Sequence, residues 1–424
     1  MKLIGSKYFM YKRDHLYCET IPLKNIIEQT GTPVYVYSKK YFVDRYLEFV
    51  EAFKGINNTI YYSVKSNFNL NVIKLFNDLG SGVDVNSGGE LYRALKAGVS
   101  PDKILLTGVG KTEEEIEFAI KENVKLIKAE SLAEVYQIDK IAANLNKKIE
   151  VAIRVNPDVD PKTHPYISTG LLENKFGVHS KDAVKLFAEC SKLKNIFLTG
   201  IDMHIGSQIL IADPYVEAVK KLSKIYFELK SVGINLKHFD IGGGLGIRYK
   251  DENPFKISQL AKALLPFFKK LDCEIWFEPG RYLTANGGIL VSKVLYEKKN
   301  DNKNFLIVDV AMNDLIRPSI YGAYHHIQPV KKYPKREKFV ADVVGPVCES
   351  GDFLAKGREL RKTKSGEYLA VMSSGAYGMT MASNYNSRRR APEVIVDGDK
   401  FYITRNRENF DHLLYDEKII DELH

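Results

Sequence analysis

The strongest constraint on this chain is a rhythm. From about residue 33 to residue 283, short β-branched or aromatic runs alternate with helical stretches, the pattern of parallel β/α units. Strands are expected at Thr59 to Lys65, Gly82 to Val85, Lys103 to Thr107 and Lys125 to Lys128. Four more follow at Ile149 to Val155, Leu198 to His204, Lys237 to Ile241 and Glu274 to Phe277. Helical patterns such as Leu70 to Leu79, Gly89 to Ala97, Glu113 to Lys121 and Pro214 to Ser231 lie between them. Eight repeats in about 250 residues is the size of a (β/α)8 barrel, with a doubly wound open sheet as the alternative.

Beyond Gly280 the rhythm changes. Gly287 to Tyr296, Asn304 to Val310, Lys338 to Val344, Glu367 to Met372 and Glu393 to Val396 look like strands joined by turns. Tyr8 to Tyr11 and His15 to Cys18 look like strands too. The expected architecture is α/β: a barrel over 33–283, with a second, β-rich domain of sandwich or barrel-like form built from 1–32 plus 284–424.

Composition removes several function classes. The net charge of +9 over 424 residues is a mild field. The basic stretches Lys331 to Lys338 and Arg358 to Lys364 lack interleaved aromatics and glycines, so a nucleic-acid partner is not expected. No apolar run is long enough for a membrane span, and Met1 to Asp14 has no continuous apolar core of the secretory kind. Cys18, Cys190, Cys273 and Cys348 stand far apart, which suits a reducing cytoplasm and no disulfide scaffold. No HExxH or finger spacing occurs, so no metal site is expected. Two nucleotide motifs fail on one residue each: Leu105 where a P-loop ending in Gly110-Lys111-Thr112 needs glycine, and Ile247 where GxGxxG needs one.

The remaining signals fall at the C-terminal ends of the expected strands, which in a barrel meet at one face. They are Lys65, Asp84, Arg154, His204, the Gly242-Gly243-Gly244 run and Glu278-Pro279-Gly280-Arg281. A lysine ending an apolar strand must be solvated, paired or used covalently. Glycines after the seventh strand bring backbone N–H groups close to a phosphate. A lysine nucleophile and a phosphate cradle on one rim suggest pyridoxal phosphate held as a Schiff base.

Four segments carry a resemblance. Tyr62-Ser-Val-Lys65-Ser-Asn, His204-Ile-Gly-Ser-Gln, Gly242-Gly-Gly-Leu-Gly and Glu278-Pro-Gly-Arg281 resemble the fold-type III pyridoxal-phosphate decarboxylases. Met312-Asn-Asp-Leu-Ile-Arg317-Pro, Tyr321-Gly-Ala-Tyr-His, Cys348-Glu-Ser-Gly-Asp352 and Gly375-Ala-Tyr377-Gly-Met narrow it to the diaminopimelate decarboxylase family. The resemblance runs in order over about residues 30 to 400. One departure is Arg388-Arg389-Arg390, where the family often has Arg-Pro-Arg.

The resemblance implies decarboxylation of meso-2,6-diaminopimelate to L-lysine and carbon dioxide, with pyridoxal phosphate as cofactor. It implies Lys65, His204 and Cys348 as catalytic residues. Cofactor contacts are implied for Lys65, Asp84, His204, Ser207, Gly242, Gly243, Gly244, Glu278, Gly280, Arg281 and Tyr377. Within that set Glu278 would hold the proton on the ring nitrogen and His204 would lie flat on the ring. Glu90 and Arg154, with Asp84, would support the lysine and histidine, or serve as structural ion pairs. Substrate contacts are implied for Arg281, Arg317, Tyr321, Glu349 and Tyr377, since a doubly zwitterionic substrate needs a cation for its distal carboxylate and an anion for its ammonium. Cys348 and Glu349 would come from the partner in a homodimer, although Cys348 alone would pass for an inert buried thiol. The competing readings are a decarboxylase of another carboxylated amine, and a non-catalytic regulator that keeps the barrel.

Overall fold

The computed structural model describes residues 7–161 and 175–423. It divides the chain into two compact units, Val43–Thr284 and a discontinuous one made of Met1–Phe42 with Ala285–His424.

The first unit is a closed eight-stranded parallel β/α barrel. In order its strands are Asn58–Ser63, Gly82–Val85, Ile104–Leu106, Leu126–Ala129, Ile149–Asn156, Ile196–Asp202, His238–Asp240 and Glu274–Phe277. The first pairs with the eighth through Thr59↔Trp276, which closes the ring. Strands such as Gly82–Val85 and Leu126–Ala129 are buried along their whole length, because helices cover the outside and side chains fill the inside. Tyr61, Leu105, Leu126, Ala152 and Trp276 form an apolar layer within this unit, and the His238 imidazole stacks on the Trp276 indole at 3.9 Å.

The outer helices start where the sequence supplies a cap. Ser87, Thr112 and Ser131 each accept a bond from the backbone N–H of a glutamate three residues on, at Glu90, Glu115 and Glu134. This is the Ser/Thr-x-x-Glu signature of a helix start. Thr112, which looked like the end of a phosphate loop, is therefore a helix cap.

Two catalytic candidates do not end strands as the sequence suggested. The first strand stops at Ser63 and Lys65 lies in the single 3-10 turn Val64–Ser66, closed by the Ser66 hydroxyl donating to the Ser63 carbonyl at 2.9 Å. The sixth strand stops at Asp202, so His204 lies two residues past it.

The second unit is β-rich. Its main sheet runs in the order Phe353–Arg361, Lys338–Val344, Lys303–Val308, Gly288–Asn300, Val34–Ser38, Glu393–Asp397, Lys400–Arg405. A separate three-stranded sheet uses Phe9–Lys12, His15–Cys18 and Ile21–Pro22. Val34–Ser38, which the sequence reading placed inside 33–283, belongs to this sheet, antiparallel to Gly288–Asn300 and parallel to Glu393–Asp397. All five of its residues are buried, and a strand covered on both faces has the same apolar signature in either kind of sheet. Phe9, Leu16, Cys18, Val36, Ile289, Met372 and Val394 share one core cluster.

Candidate active site

In the barrel unit, Lys65 is brought to Asp84 and Asn86 from the next strand and its loop. Its Nζ lies 3.8 Å from Asp84 Oδ2 and 3.5 Å from Asn86 Oδ1, and its side chain keeps 40% exposure. Asp84 is fully buried and accepts from the hydroxyls of Ser63, at 2.7 Å, and Thr107. Burial works to raise its carboxyl; Lys65, Lys128 and the two hydroxyls outweigh that and hold it below its usual range. Glu90 caps its own helix by accepting from the Asn86 backbone N–H at 2.8 Å. Asn86 thus meets Glu90 through its backbone N–H and the Lys65 amine through its side chain.

Arg154 is buried, donates to Glu130 at 2.9 Å and to the His204 carbonyl at 3.2 Å, and lies 4.8 Å from the centre of the Phe176 ring. It fixes the backbone that carries His204. The imidazole in turn accepts the Gly243 N–H on Nδ1 at 3.2 Å, which assigns its proton to Nε2. Burial, then the charges of Arg154, Lys65 and Lys128, push its pKa well below the ordinary histidine value, so the ring is neutral.

The triple glycine is required by close approach. Gly242 and Gly244 have φ of +69° and +90°. A Cβ on Gly243 would lie 2.1 Å from the Glu278 carbonyl oxygen, and one on Gly244 2.2 Å from the Gly206 carbonyl oxygen. The Gly242 N–H donates to Asp240 Oδ1 at 2.7 Å, and the Gly243 N–H goes to His204. Two of the three glycine N–H groups are thus taken, one by the seventh strand's Asp240 and one by His204. Arg281 donates to the Ser207 hydroxyl at 2.8 Å and to the Tyr249 hydroxyl at 2.7 Å, so a guanidinium and a hydroxyl join here. Gly280 packs on Ser66 and Ser63, with room for no Cβ beyond about 3 Å contacts.

Glu278 follows the eighth strand and is buried. Its carboxylate contacts Lys128 Nζ, which also donates to Asp202 at 2.9 Å and Asp240 at 2.6 Å. Lys128 is fully buried on the fourth strand. Burial disfavours its ammonium, but Asp202, Asp240, Glu278 and Asp84 outweigh that and raise its pKa well above the usual lysine value. Sequence reasoning missed Lys128, Asp202 and Asp240. The available signal was a charged residue in each of three short apolar strands, of which the sixth and seventh already carried candidates at their ends. Asp202, Asp240 and Glu278 are, among the described residues, the three-carboxylate group whose ligand atoms lie within 4.8 Å of one another. The cation they face is the lysine.

The β-rich unit holds the other candidates. Arg317 opens the helix Arg317–Tyr321, is buried, and donates to His325 Nε2 at 2.8 Å. His325 Nδ1 meets the Met372 carbonyl at 2.9 Å. A carbonyl only accepts, so Nδ1 carries the hydrogen and Nε2 is left to receive Arg317. Tyr321 ends that helix before Gly322 in the left-handed conformation. Cys348 and Glu349 are exposed on a loop whose base is tied by Asp352, which accepts from Met312 N at 2.6 Å and Val347 N at 2.7 Å. Cys348 is therefore not the buried thiol of its default reading. Tyr377 has φ of +56°, a conformation a bulky side chain adopts only where its surroundings impose it, at a cost of about 1–3 kcal/mol. The three arginines act separately: Arg388 donates to the Asp309 carbonyl at 2.6 Å and to Asn313 Oδ1 at 3.0 Å, Arg389 lies over Phe410, and Arg390 lies 3.5 Å from Glu408. His325 and Asp352 are the residues missed in this unit, although both stood in segments that looked familiar.

The donor set in the barrel suits a phosphorylated aromatic aldehyde. It offers an accessible amine, a neutral imidazole, a buried carboxylate and a guanidinium beside a glycine loop, while Asn86 Nδ2 is buried beside the amine without a hydrogen-bond partner among the described residues. Among the described residues no helix is long and apolar enough to cross a membrane.

Comparison with known proteins agrees. The family model described as pyridoxal-dependent decarboxylase, pyridoxal binding domain, matches residues 40–285. The chain is 48% identical over 410 residues to a diaminopimelate decarboxylase of Aquifex aeolicus, covering 96% of this chain and 97% of that one. It is 47% identical over 407 residues to the diaminopimelate decarboxylase of Haemophilus influenzae, covering 96% and 98%. A crystal structure of diaminopimelate decarboxylase from M. jannaschii in complex with L-lysine matches with a TM-score of 0.94 at 35% identity, over 100% of both chains. The Helicobacter pylori diaminopimelate decarboxylase complexed with L-lysine matches at 0.89 and 43% identity, over 93% of this chain and 98% of that one.

Proposed function

The chain belongs to the pyridoxal-dependent decarboxylases, and among them to the diaminopimelate decarboxylases; from that premise we propose how its own residues divide the work. Its reaction is the decarboxylation of diaminopimelate to lysine, a carboxy-lyase step of lysine biosynthesis, and its cofactor is pyridoxal phosphate.

Bound pyridoxal phosphate supplies an aldehyde that captures the substrate amine and a protonated ring that accepts the electron pair left by departing carbon dioxide. Lys65 is the residue whose amine would hold the cofactor's aldehyde. Asp84 and Asn86 keep its amine aimed, and the low-lying Asp84 carboxylate stays ionised to do so. His204 presents a neutral ring face to the cofactor. Glu278 holds the proton on the ring nitrogen. Arg281, Ser207 and Gly244, with Gly280 giving room, take the phosphate; the hydrogen bond between the Arg281 and Ser207 side chains supports that grouping.

Arg317 and Tyr321 receive the distal carboxylate of the substrate, and Glu349 its distal ammonium, with Arg281 and Tyr377 at the cofactor end. Buried Arg317 carries the selectivity: a substrate without a distal carboxylate forgoes a charge-assisted pair with its guanidinium, a loss of about 1.5–3 kcal/mol, roughly 10–100-fold. Cys348 and Glu349 of one subunit complete the site of the other in a homodimer, and Cys348 gives the proton that replaces carbon dioxide. Their exposure on a loop tied down by Asp352 supports a role toward a partner. Free, widely separated cysteines support a cytoplasmic setting.

The observation that carries the cofactor site is the approach of Lys65 to Asp84 at 3.8 Å beside the glycine loop and Glu278. Borohydride reduction of the holoenzyme followed by peptide mapping is expected to find the cofactor on Lys65. A Lys65→Ala protein is expected to lose both activity and visible absorbance. Modification of a different lysine, or full activity in the variant, overturns the assignment.

A further inference from the structure

Four charged groups converge inside the barrel where an apolar layer would serve stability better. Lys128 comes from the fourth strand, Asp202 from the sixth, Asp240 from the seventh and Glu278 from the end of the eighth. Strands four and eight are opposite in an eight-stranded ring, so the lysine reaches across the interior. All four residues are at most 6% exposed. Burying charges costs several kcal/mol each, and well-packed apolar residues in their place are commonly as stable or more so. The cluster therefore calls for a reason other than holding the barrel together.

The contacts suggest one. Among the described residues, the hydrogen-bond partner of the Glu278 carboxylate is Lys128, so the ammonium fixes where that carboxylate sits. A lysine facing Glu278 alone would cancel its charge and weaken its attraction for any further N–H. Here the same ammonium is shared with Asp202 and Asp240. One cation against three carboxylates leaves the group short of positive charge. Burial, then Lys128 and Asp202, set Asp240, whose carboxyl is raised to about 6. Burial, then Asp84, leads the rise of Glu278 despite Lys128, with Asp240 and Asp202 adding to it. A second cation placed beside Glu278 is what the group lacks.

We propose that Lys128 and Asp202 are positioning residues for the ring-nitrogen proton: Lys128 anchors Glu278 from across the barrel, and Asp202, with Asp240, draws off enough of the ammonium's charge that Glu278 still binds a protonated nitrogen. The proposal rests on the reading of Glu278 as the partner of that nitrogen. Asp202 is the cleaner probe, because Asp240 also anchors the Gly242 N–H.

The test uses holoenzyme loaded with ring-¹⁵N pyridoxal phosphate, whose nitrogen shift reports its protonation by NMR. Asp202→Asn is isosteric and removes one buried anion. It is expected to move the nitrogen toward its neutral form and to lower kcat about tenfold or more with KM little changed, while the apoprotein is no less stable to urea. Lys128→Met removes the cation and is expected to move the nitrogen the other way, its proton surviving to higher pH. A purely structural cluster predicts the reverse for Asp202→Asn: lost stability, with kcat and nitrogen shift unmoved. That result, or both variants shifting the nitrogen in one direction, overturns the proposal. If Lys128→Met does not fold, Asp202→Asn decides alone. Glu278→Gln separates the two levels. An unmoved nitrogen there sinks the reading of Glu278 itself, whereas a response to Glu278→Gln without one to Asp202→Asn sinks only the role of the cluster.

Discussion

Replacing Gly242 by alanine places a methyl group where the structure has none to spare. Its Cβ would stand 2.6 Å from the Met203 carbonyl oxygen and 2.7 Å from His204 Nδ1, against 3.4 Å for ordinary contact. The imidazole must therefore retreat by about 0.7 Å. At a φ of +69° alanine costs a further 1–2 kcal/mol, roughly, in backbone strain. The bond from the Gly243 N–H to the imidazole, already 3.2 Å, is stretched past usefulness, a loss of about 1 kcal/mol. These terms give about 2–3 kcal/mol of destabilisation, which a barrel can survive. The catalytic loss should be larger in proportion, since a displacement of about 1 Å in a positioned group costs on the order of 10²-fold. The assay is kcat at confirmed cofactor saturation, alongside urea unfolding of the apoprotein. Gly110→Ala is the control, because nothing lies within 4 Å of its Cβ, and it should change neither quantity. A folded Gly242→Ala enzyme with kcat within about threefold of the parent would refute the claim that this glycine sets His204.

Three further outcomes are expected. His325→Phe keeps a planar aromatic ring but removes the acceptor for Arg317, and should raise KM for diaminopimelate about 10–100-fold with kcat nearly kept; an unchanged KM counts against Arg317 as the carboxylate ligand. Mixing inactive Lys65→Ala and Cys348→Ala subunits should restore roughly a quarter of parental activity, if each site of a homodimer draws on both chains; no recovery in confirmed heterodimers removes the shared site. Burial pushes Asp314 up to about 7, above its unfolded value, so its native proton stabilises the fold fully below about pH 4 and progressively less as pH rises through 7. Asp314→Asn should abolish that decline, on the order of a few kcal/mol between pH 5 and pH 8 in urea unfolding; parallel curves for parent and variant would refute it.

How much of this was legible in the residues depends on whether a side chain reports its own surroundings. The eight barrel strands were legible because buried parallel strands are short unbroken apolar runs, and Gly82–Val85 and Glu274–Phe277 have the limits expected of them. Val34–Ser38 has the same run and belongs elsewhere, since apolar periodicity records burial on both faces and not the identity of the neighbours. Lys65, His204 and Glu278 stood out as polar groups at the ends of apolar runs. Lys128 was passed over although it ended the expected strand Lys125 to Lys128, because a lysine there normally marks the strand's exit to water. Its partners are about 74 to 150 positions away, and no local pattern encodes such a meeting. His325 was hidden for a similar reason: its role rests on a tautomer that the Met372 carbonyl dictates from 47 residues downstream.

The place of Val34–Ser38 has a consequence in time. Its two neighbours in the sheet lie about 250 and 350 residues downstream. During synthesis a strand destined for burial along its whole length must therefore wait, unpaired, while the complete barrel unit leaves the ribosome. The barrel is in effect an insertion that can finish folding before the sheet on either side of it in sequence has its centre. A ribosome-stalled chain ending at Thr284 is expected to be cleaved by protease near Val34–Ser38, and one extended past Asp397 to resist. Equal protection in both would show that the strand finds shelter earlier. For this chain, then, the hazardous interval of biogenesis belongs to its first forty residues, long after they have been made.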